Sequence, residues 1–122
     1  MSRGRAGVGA EPERAARAHA ERIIGRDRRA FEDLAPSAEV APPDLLDWLM
    51  ARQFRGSELV AHARIGLHHI LKTKFVGATT IVVQARWAAE PDGRWLIREA
   101  EVARVEGVTA GSPGPVTRPG EV

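Results

Sequence analysis

The sequence contains neither cysteine nor tyrosine. Without cysteine there is no disulfide, no thiolate nucleophile, no zinc–cysteine site and no cysteine-held iron–sulfur cluster. A cysteine-free chain fits a reducing compartment, and we read the protein as cytoplasmic. Long apolar runs are also missing. Phe75–Ala85 is the longest uncharged apolar run, about half of the roughly 20 residues a spanning helix requires. The N-terminal arginines are followed by no apolar segment, so no secretory signal is expected, and a membrane is not expected as partner. No Gly-rich loop ending in Lys-Ser/Thr occurs, nor any Gly-x-Ser-x-Gly elbow. Walker-type phosphoryl transfer and serine-hydrolase chemistry are thereby set aside. Nor is either sign of charge in large excess: 18 Lys+Arg face 16 Asp+Glu, for a net charge of +2. The pI of 9.9 reflects how arginines titrate. With no block of five like charges, the pattern reads as a solvated mixed-charge surface, and nucleic acid is not the expected partner.

What is present has the size of one domain. A chain of 122 residues can bury about two-thirds of the surface it exposes when unfolded, so it needs neither a metal nor a disulfide to hold it. Residues 1–10 are Gly- and Arg-rich without periodicity and read as a disordered leader; residues 107–122 are Pro/Gly-rich and read as a flexible tail. The working domain is residues 11–106.

Glu11-Pro12-Glu13 is a good helix start, because proline is tolerated in the first turn and acids suit the positive end of the dipole. Ala16, His19/Ala20, Ile23 and Ile24 then recur at helical steps, and Gly25 ends the helix. A second short helix follows Asp27 as N-cap, burying Ala30, Phe31 and Leu34 before Pro36 stops it. A third starts at Pro42-Pro43-Asp44, buries Leu45, Leu46, Trp48, Leu49 and Met50, and ends near Gly56.

Beyond Gly56 the period becomes two. Leu59, Ala61, Ala63, Ile65 and Leu67 alternate with Val60, His62, Arg64 and Gly66, which favours a strand, although Val60, Ala63 and Leu67 would also suit a helix. A bend near Gly66 leads into a β-rich run over residues 68–76. Thr79–Ala89 is the clearest strand, with Ile81, Val83, Ala85 and Trp87 on one face. Glu90-Pro91-Asp92-Gly93 is a strong turn, from which a last strand over Arg94–Val105 pairs back. Helices followed by consecutive antiparallel strands give an α+β class, with N-terminal helices packed on one face of a curved antiparallel sheet.

Three stretches carry a family likeness: His19-Ala-Glu-Arg-Ile-Ile-Gly-Arg-Asp27 with Phe31 and Leu34, His68-His69-Ile70, and Arg86-Trp87 with Gly93-Arg94-Trp95-Leu96-Ile97. In pattern and order, residues 11–106 resemble the nuclear transport factor 2-like superfamily, which includes polyketide cyclases and ketosteroid isomerases. The resemblance implies a strongly curved antiparallel sheet that forms, with the helices, a cystatin-like cone whose open mouth holds an apolar ligand, and a homodimer formed through the sheet's outer face. It does not carry the isomerase mechanism across. Where those enzymes place an oxyanion-stabilising tyrosine this chain has His19, and where they place the aspartate base it has Pro42.

The candidate chemistry follows from these positions. His19 lies on the apolar stripe and should face inward, where it would act as acid, base or hydrogen-bond donor; the alternative is a partly buried histidine satisfied by one carboxylate or backbone partner. Glu99 and Glu101 fall on the Trp95/Ile97 side of the last strand, so Glu99 is the candidate partner of His19 in an acid/base pair. The alternative is pairing with Arg86 or Arg98 across the sheet, and a bulge near Arg98 would turn one outward. His62, Arg64 and His68 share a face if the strand continues through Gly66, while the adjacent His68 and His69 point oppositely, so no metal ligand set is assigned and no cofactor is expected. Ile23, Trp48, Trp87 and Trp95 are expected beside His19 as pocket wall, with Trp87 and Trp95 packed across the hairpin. Arg52, Arg55, Lys72 and Lys74 read as solvent-facing. Three functions follow: a homodimeric module that binds a small apolar molecule in a pocket of a few hundred Å³, an isomerase, cyclase or dehydratase, and a protein-interaction module.

Overall fold

The computed structural model describes residues 3–107, with side chains from residue 11 onward; most of the tail read over residues 107–122 lies outside them. Helix α1 (Arg3–Ile24) contains Pro12 and begins ahead of the Glu11-Pro12-Glu13 signal. A proline forfeits one bond of the helical ladder but need not end the helix, so part of the segment read as leader gives its backbone to α1. The other end stops where expected. The Asp27 amide reaches the Arg22 carbonyl at 2.8 Å and the Arg26 amide that of Ile23 at 3.1 Å, a closing turn that needs one left-handed residue. That residue is Arg26, at φ 55°, one position past the glycine that marked the stop in the sequence.

Asp27 then caps a short 3₁₀ helix (Arg28–Asp33) by accepting a hydrogen bond from the Arg29 amide. The chain next forms a strand that its local pattern does not show, β1 (Leu34–Ala41). Pro36 is a stop signal by local pattern. It fits because β1 is an edge strand whose pairing with its neighbour is interrupted between Leu34 and Glu39, leaving the proline no ladder bond to donate. Helix α2 (Leu45–Met50) is shorter than the third helix expected. Strands β2 (Phe54–Ile65), β3 (His68–Gly77), β4 (Thr79–Ala89) and β5 (Trp95–Gly107) follow, so the ambiguous stretch after Gly56 is a strand.

The five strands form one curved, unclosed sheet in the order β1-β5-β4-β3-β2. Consecutive strands from β2 to β5 are antiparallel, and only the added β1 runs parallel to its neighbour. The α+β class holds. Ala16, Ala20 and Ile23 of α1, together with Leu45, Leu46, Leu49 and Met50 of α2, pack onto Leu71, Phe75, Ile81, Val83, Ala85, Trp87, Ile97 and Ala100 of the sheet. Burial of that face is what holds the helices down, since α2 is far too short to be stable alone.

Two local features set which side chains share a face. Ile65 pairs with His68 and Arg64 with His69 across the Gly66-Leu67 turn, a two-residue connection that Gly66 closes at φ 63°. On β5, Trp87 faces Ile97 while Arg86 faces Glu99. Arg98 is therefore the extra residue of a bulge, and the inside/outside parity inverts there.

Candidate functional site

His19 points inward from α1, as its place on the stripe predicts. Its Nδ1 lies 2.7 Å from Asp33 Oδ2, and its ring meets Trp87 edge-on with centroids 5.8 Å apart. Asp33, at the end of the 3₁₀ helix, is held in turn by Arg22, whose Nη1 donates to its two oxygens at 3.3 and 3.1 Å. His19 is thus oriented as a catalytic imidazole would be, but it has little to act on. It and Trp87 line a cavity of about 20 Å³, space for about one water. The interior of the cone is filled by side chains, contrary to the pocket of a few hundred Å³ expected there. Leu45, Leu46, Leu49 and Phe75 occupy that space.

Glu99 does not meet His19. The bulge at Arg98 places it outside the sheet, half-exposed, where it accepts from Arg86 Nε at 3.0 Å. Arg86 also contacts His68, so the outer face carries a Glu99–Arg86–His68 row. Glu101, opposite Gln84, lies outside as well. The assignment of both glutamates to the Trp95/Ile97 side is corrected accordingly. Ile23 is a core residue, and Trp48 packs against the core from α2 with the Arg52 guanidinium stacked on its ring at 4.2 Å. Trp87 and Trp95 take different partners rather than each other.

Trp95 belongs to a second cluster, at the end of the domain formed by the β2–β3 turn, the β4–β5 connection and Glu11. There His69 is 6% exposed, the one buried polar or charged side chain among the described residues. Its Nδ1 lies 2.8 Å from His62 Nε2, and His62 Nδ1 lies 2.7 Å from Glu13 Oε2. Trp95 packs edge-on against His69 at 5.3 Å and donates its indole N–H to Glu11 at 3.4 Å. The histidine that joins His62 is therefore His69, not His68. The two-residue turn puts Arg64 opposite His69 and so sets His62 and His69 on one face; counting the turn as a simple bend gives the wrong parity.

The proton positions follow from the donors available. A carboxylate only accepts, so His62 donates from Nδ1 to Glu13. A neutral His62 then accepts at Nε2, His69 donates from Nδ1, and the lone pair of His69 is left on its Nε2. Burial, with His62 and Arg64 beside it, pushes the His69 pKa below its ordinary value and keeps it neutral. The three side chains are strung in a line rather than gathered around a point. Among the described residues no His, Asp or Glu group is arranged to hold a metal.

This cluster opens on a cleft of about 500 Å³, walled by Arg64, Leu67, His69 and Trp95. A further cleft, of about 740 Å³, lies at the other end of the sheet, around Arg26, Arg52 and Arg55. Among the described residues no helix is long and apolar enough to cross a membrane.

No protein-family model matches the chain, and no curated protein matches it in sequence. Its structure is similar to that of a nuclear transport factor 2 superfamily protein from Salmonella enterica subsp. enterica serovar Typhimurium str. LT2. The TM-score is 0.58 at 14% identity, over 89% of this chain and 99% of that one. The fold is the nuclear transport factor 2-like fold, as the resemblance implied.

Proposed function

We propose that this nuclear transport factor 2-like chain is a small-molecule-binding domain whose ligand sits in the cleft at the β2–β3 turn. The observation that carries the reading is the buried His69 at the wall of a 500 Å³ space, held in one tautomer by His62 and Glu13. A cleft of this size suits a metabolite-sized ligand. Trp95 and Leu67 offer it apolar contact, Arg64 offers charge, and His69 Nε2 accepts one hydrogen bond. The ligand is accordingly a small, partly apolar molecule with a donor or acidic group, more polar than the resemblance implied.

A second reading makes the same residues catalytic. Glu13–His62–His69 fixes the tautomer of the terminal imidazole and leaves its Nε2 lone pair free, the form a general base needs. His69 would then be the base of an isomerase, cyclase or dehydratase, the role expected from sequence for His19 with Glu99.

A homodimer through the outer face of the sheet is the quaternary proposal. Lys72 and Lys74 line β3 on that face, while Glu99, Glu101 and Glu39 line β5 and β1. A two-fold axis between the rows sets each against its opposite. We place the protein in the cytoplasm.

Native mass spectrometry combined with an NMR fragment screen tests the binding reading. Fragments that shift Arg64–His69 and Ala88–Trp95, and that lose those shifts in Trp95→Ala, support it. A protein with no fragment response in that cleft would sink it. Light scattering tests the dimer: Lys72→Glu/Lys74→Glu should give monomers and Glu99→Lys/Glu101→Lys added to it should restore dimers, whereas a wild-type monomer excludes it.

A further inference from the structure

We infer that the cleft at the opposite end of the domain, between the C-terminus of α1 and the β3–β4 turn, is an anion site for a small molecule bearing a phosphate or pyrophosphate group. Thirteen arginines have described side chains. Eight of them have a carboxylate within 4.0 Å. Of the five that have none among the described residues, three wall this one cleft: Arg26, Arg52 and Arg55. Among the described residues no acidic side chain lines it. On a chain whose acids and bases nearly balance, three unneutralised guanidiniums around one 740 Å³ space are a local excess of charge.

Two of the three are fixed before any ligand arrives. Arg26 donates from Nε to the Met50 carbonyl at 2.8 Å and from Nη2 to the Arg52 carbonyl at 3.1 Å. Arg52 donates from Nη1 to the Trp48 carbonyl at 3.2 Å and stacks on the Trp48 ring. Carbonyls hold a guanidinium without cancelling its charge, and each fork keeps N–H groups to spare, since a guanidinium carries five donors. These contacts also cover the carbonyls that would otherwise repel an anion. The last turn of α1 is closed in the same way, with Glu21, Arg22 and Ile23 carbonyls all bonded to following amides.

The backbone keeps the walls together. A Cβ at Gly77 would stand 2.7 Å from the Gln53 carbonyl, so only glycine lets the end of β3 approach the segment that carries Arg52 and Arg55. Bidentate guanidinium–phosphate pairing suits such forks, and the open cleft takes a small phosphorylated molecule.

Pyrophosphate is the probe. An NMR titration at low salt should shift residues 24–26, 52–55 and 77–79 saturably, with binding weakened about tenfold or more in Arg52→Gln/Arg55→Gln. Arg104→Gln, which removes an arginine already paired with Glu106, should leave the affinity unchanged. Spectra of the double variant outside the cleft should match the wild type, which separates lost binding from lost folding. Shifts spread evenly over Lys72, Lys74 and the exposed arginines would overturn the inference, as would saturation at equal affinity in the double variant. Binding of a single-stranded oligonucleotide at this cleft with no response to pyrophosphate would also overturn it, by making the partner a nucleic acid.

Discussion

His62 Nε2 and His69 Nδ1 lie 2.8 Å apart on neighbouring antiparallel strands, and one proton serves both. That sharing decides the pH response of this end of the domain. His69 has its pKa lowered in the folded protein by burial and by the nearby charges, so the unfolded chain takes up its proton first. This contribution to stability is complete above the unfolded value, near 6.5, and is lost as the pH falls from there toward the folded value. Urea melts of wild type and His69→Gln over this range should converge as the pH drops, the wild type losing more stability than the variant. Parallel pH profiles would show that His69 is not held neutral.

Asp33 is expected to matter for stability, and Glu99 is not. Asp33 is half-buried and accepts from both His19 and Arg22, so Asp33→Ala strands two donors and should cost about 1–3 kcal/mol. Glu99 forms an exposed pair with Arg86, and Glu99→Ala should cost roughly 0–1 kcal/mol. Chemical denaturation of the two variants side by side checks the contrast.

Two glycines make a matched steric test. Gly77→Ala forces a methyl against the Gln53 carbonyl and the Phe54 ring, whereas a Cβ at Gly56 meets nothing within 4 Å among the described residues. Gly77→Ala should lose about 1–3 kcal/mol, while Gly56→Ala stays within about 0.5 kcal/mol of wild type. Thermal melts would show the first shifted down and the second nearly unmoved.

Asp27 should titrate anomalously. Its carboxylate accepts from the side chain and the amide of Arg29, which lowers its pKa from 3.8 to about 2. The cap contribution is present above the ordinary carboxylate value and is lost as pH falls toward 2. In an NMR titration, Arg29→Gln should return the Asp27 midpoint toward 3.8; an unchanged midpoint would assign the shift to the backbone amide alone.

The packing scale is set by Trp87, buried in the core against His19. Trp87→Ala should cost about 3–5 kcal/mol, readable as a fall in the urea midpoint.

Much of the fold was written in local pattern. The apolar stripe of α1, its stop at Gly25, the period of two after Gly56 and the Glu90–Gly93 turn are all short-range signals, and each found its element. The strand β1 was hidden because Pro36 signals a break wherever a ladder bond is needed, and only the sheet's order reveals that none is needed there. The candidate site was less legible. His19 was placed inward correctly by helical spacing, but whether space remained beside it depended on how Leu45, Leu46, Leu49 and Phe75 fill the cone. One bulged residue, Arg98, moved Glu99 to the opposite face, and one two-residue turn exchanged His68 for His69. Such parity changes leave composition and periodicity almost untouched while redirecting every side chain beyond them. Glu13 and His62 lie 49 residues apart, a separation no local pattern spans. Local pattern determined the elements other than β1, because helix and strand periods are properties of neighbouring residues. The tertiary structure alone decided which imidazole, carboxylate and guanidinium groups meet, because that depends on register and packing between distant segments.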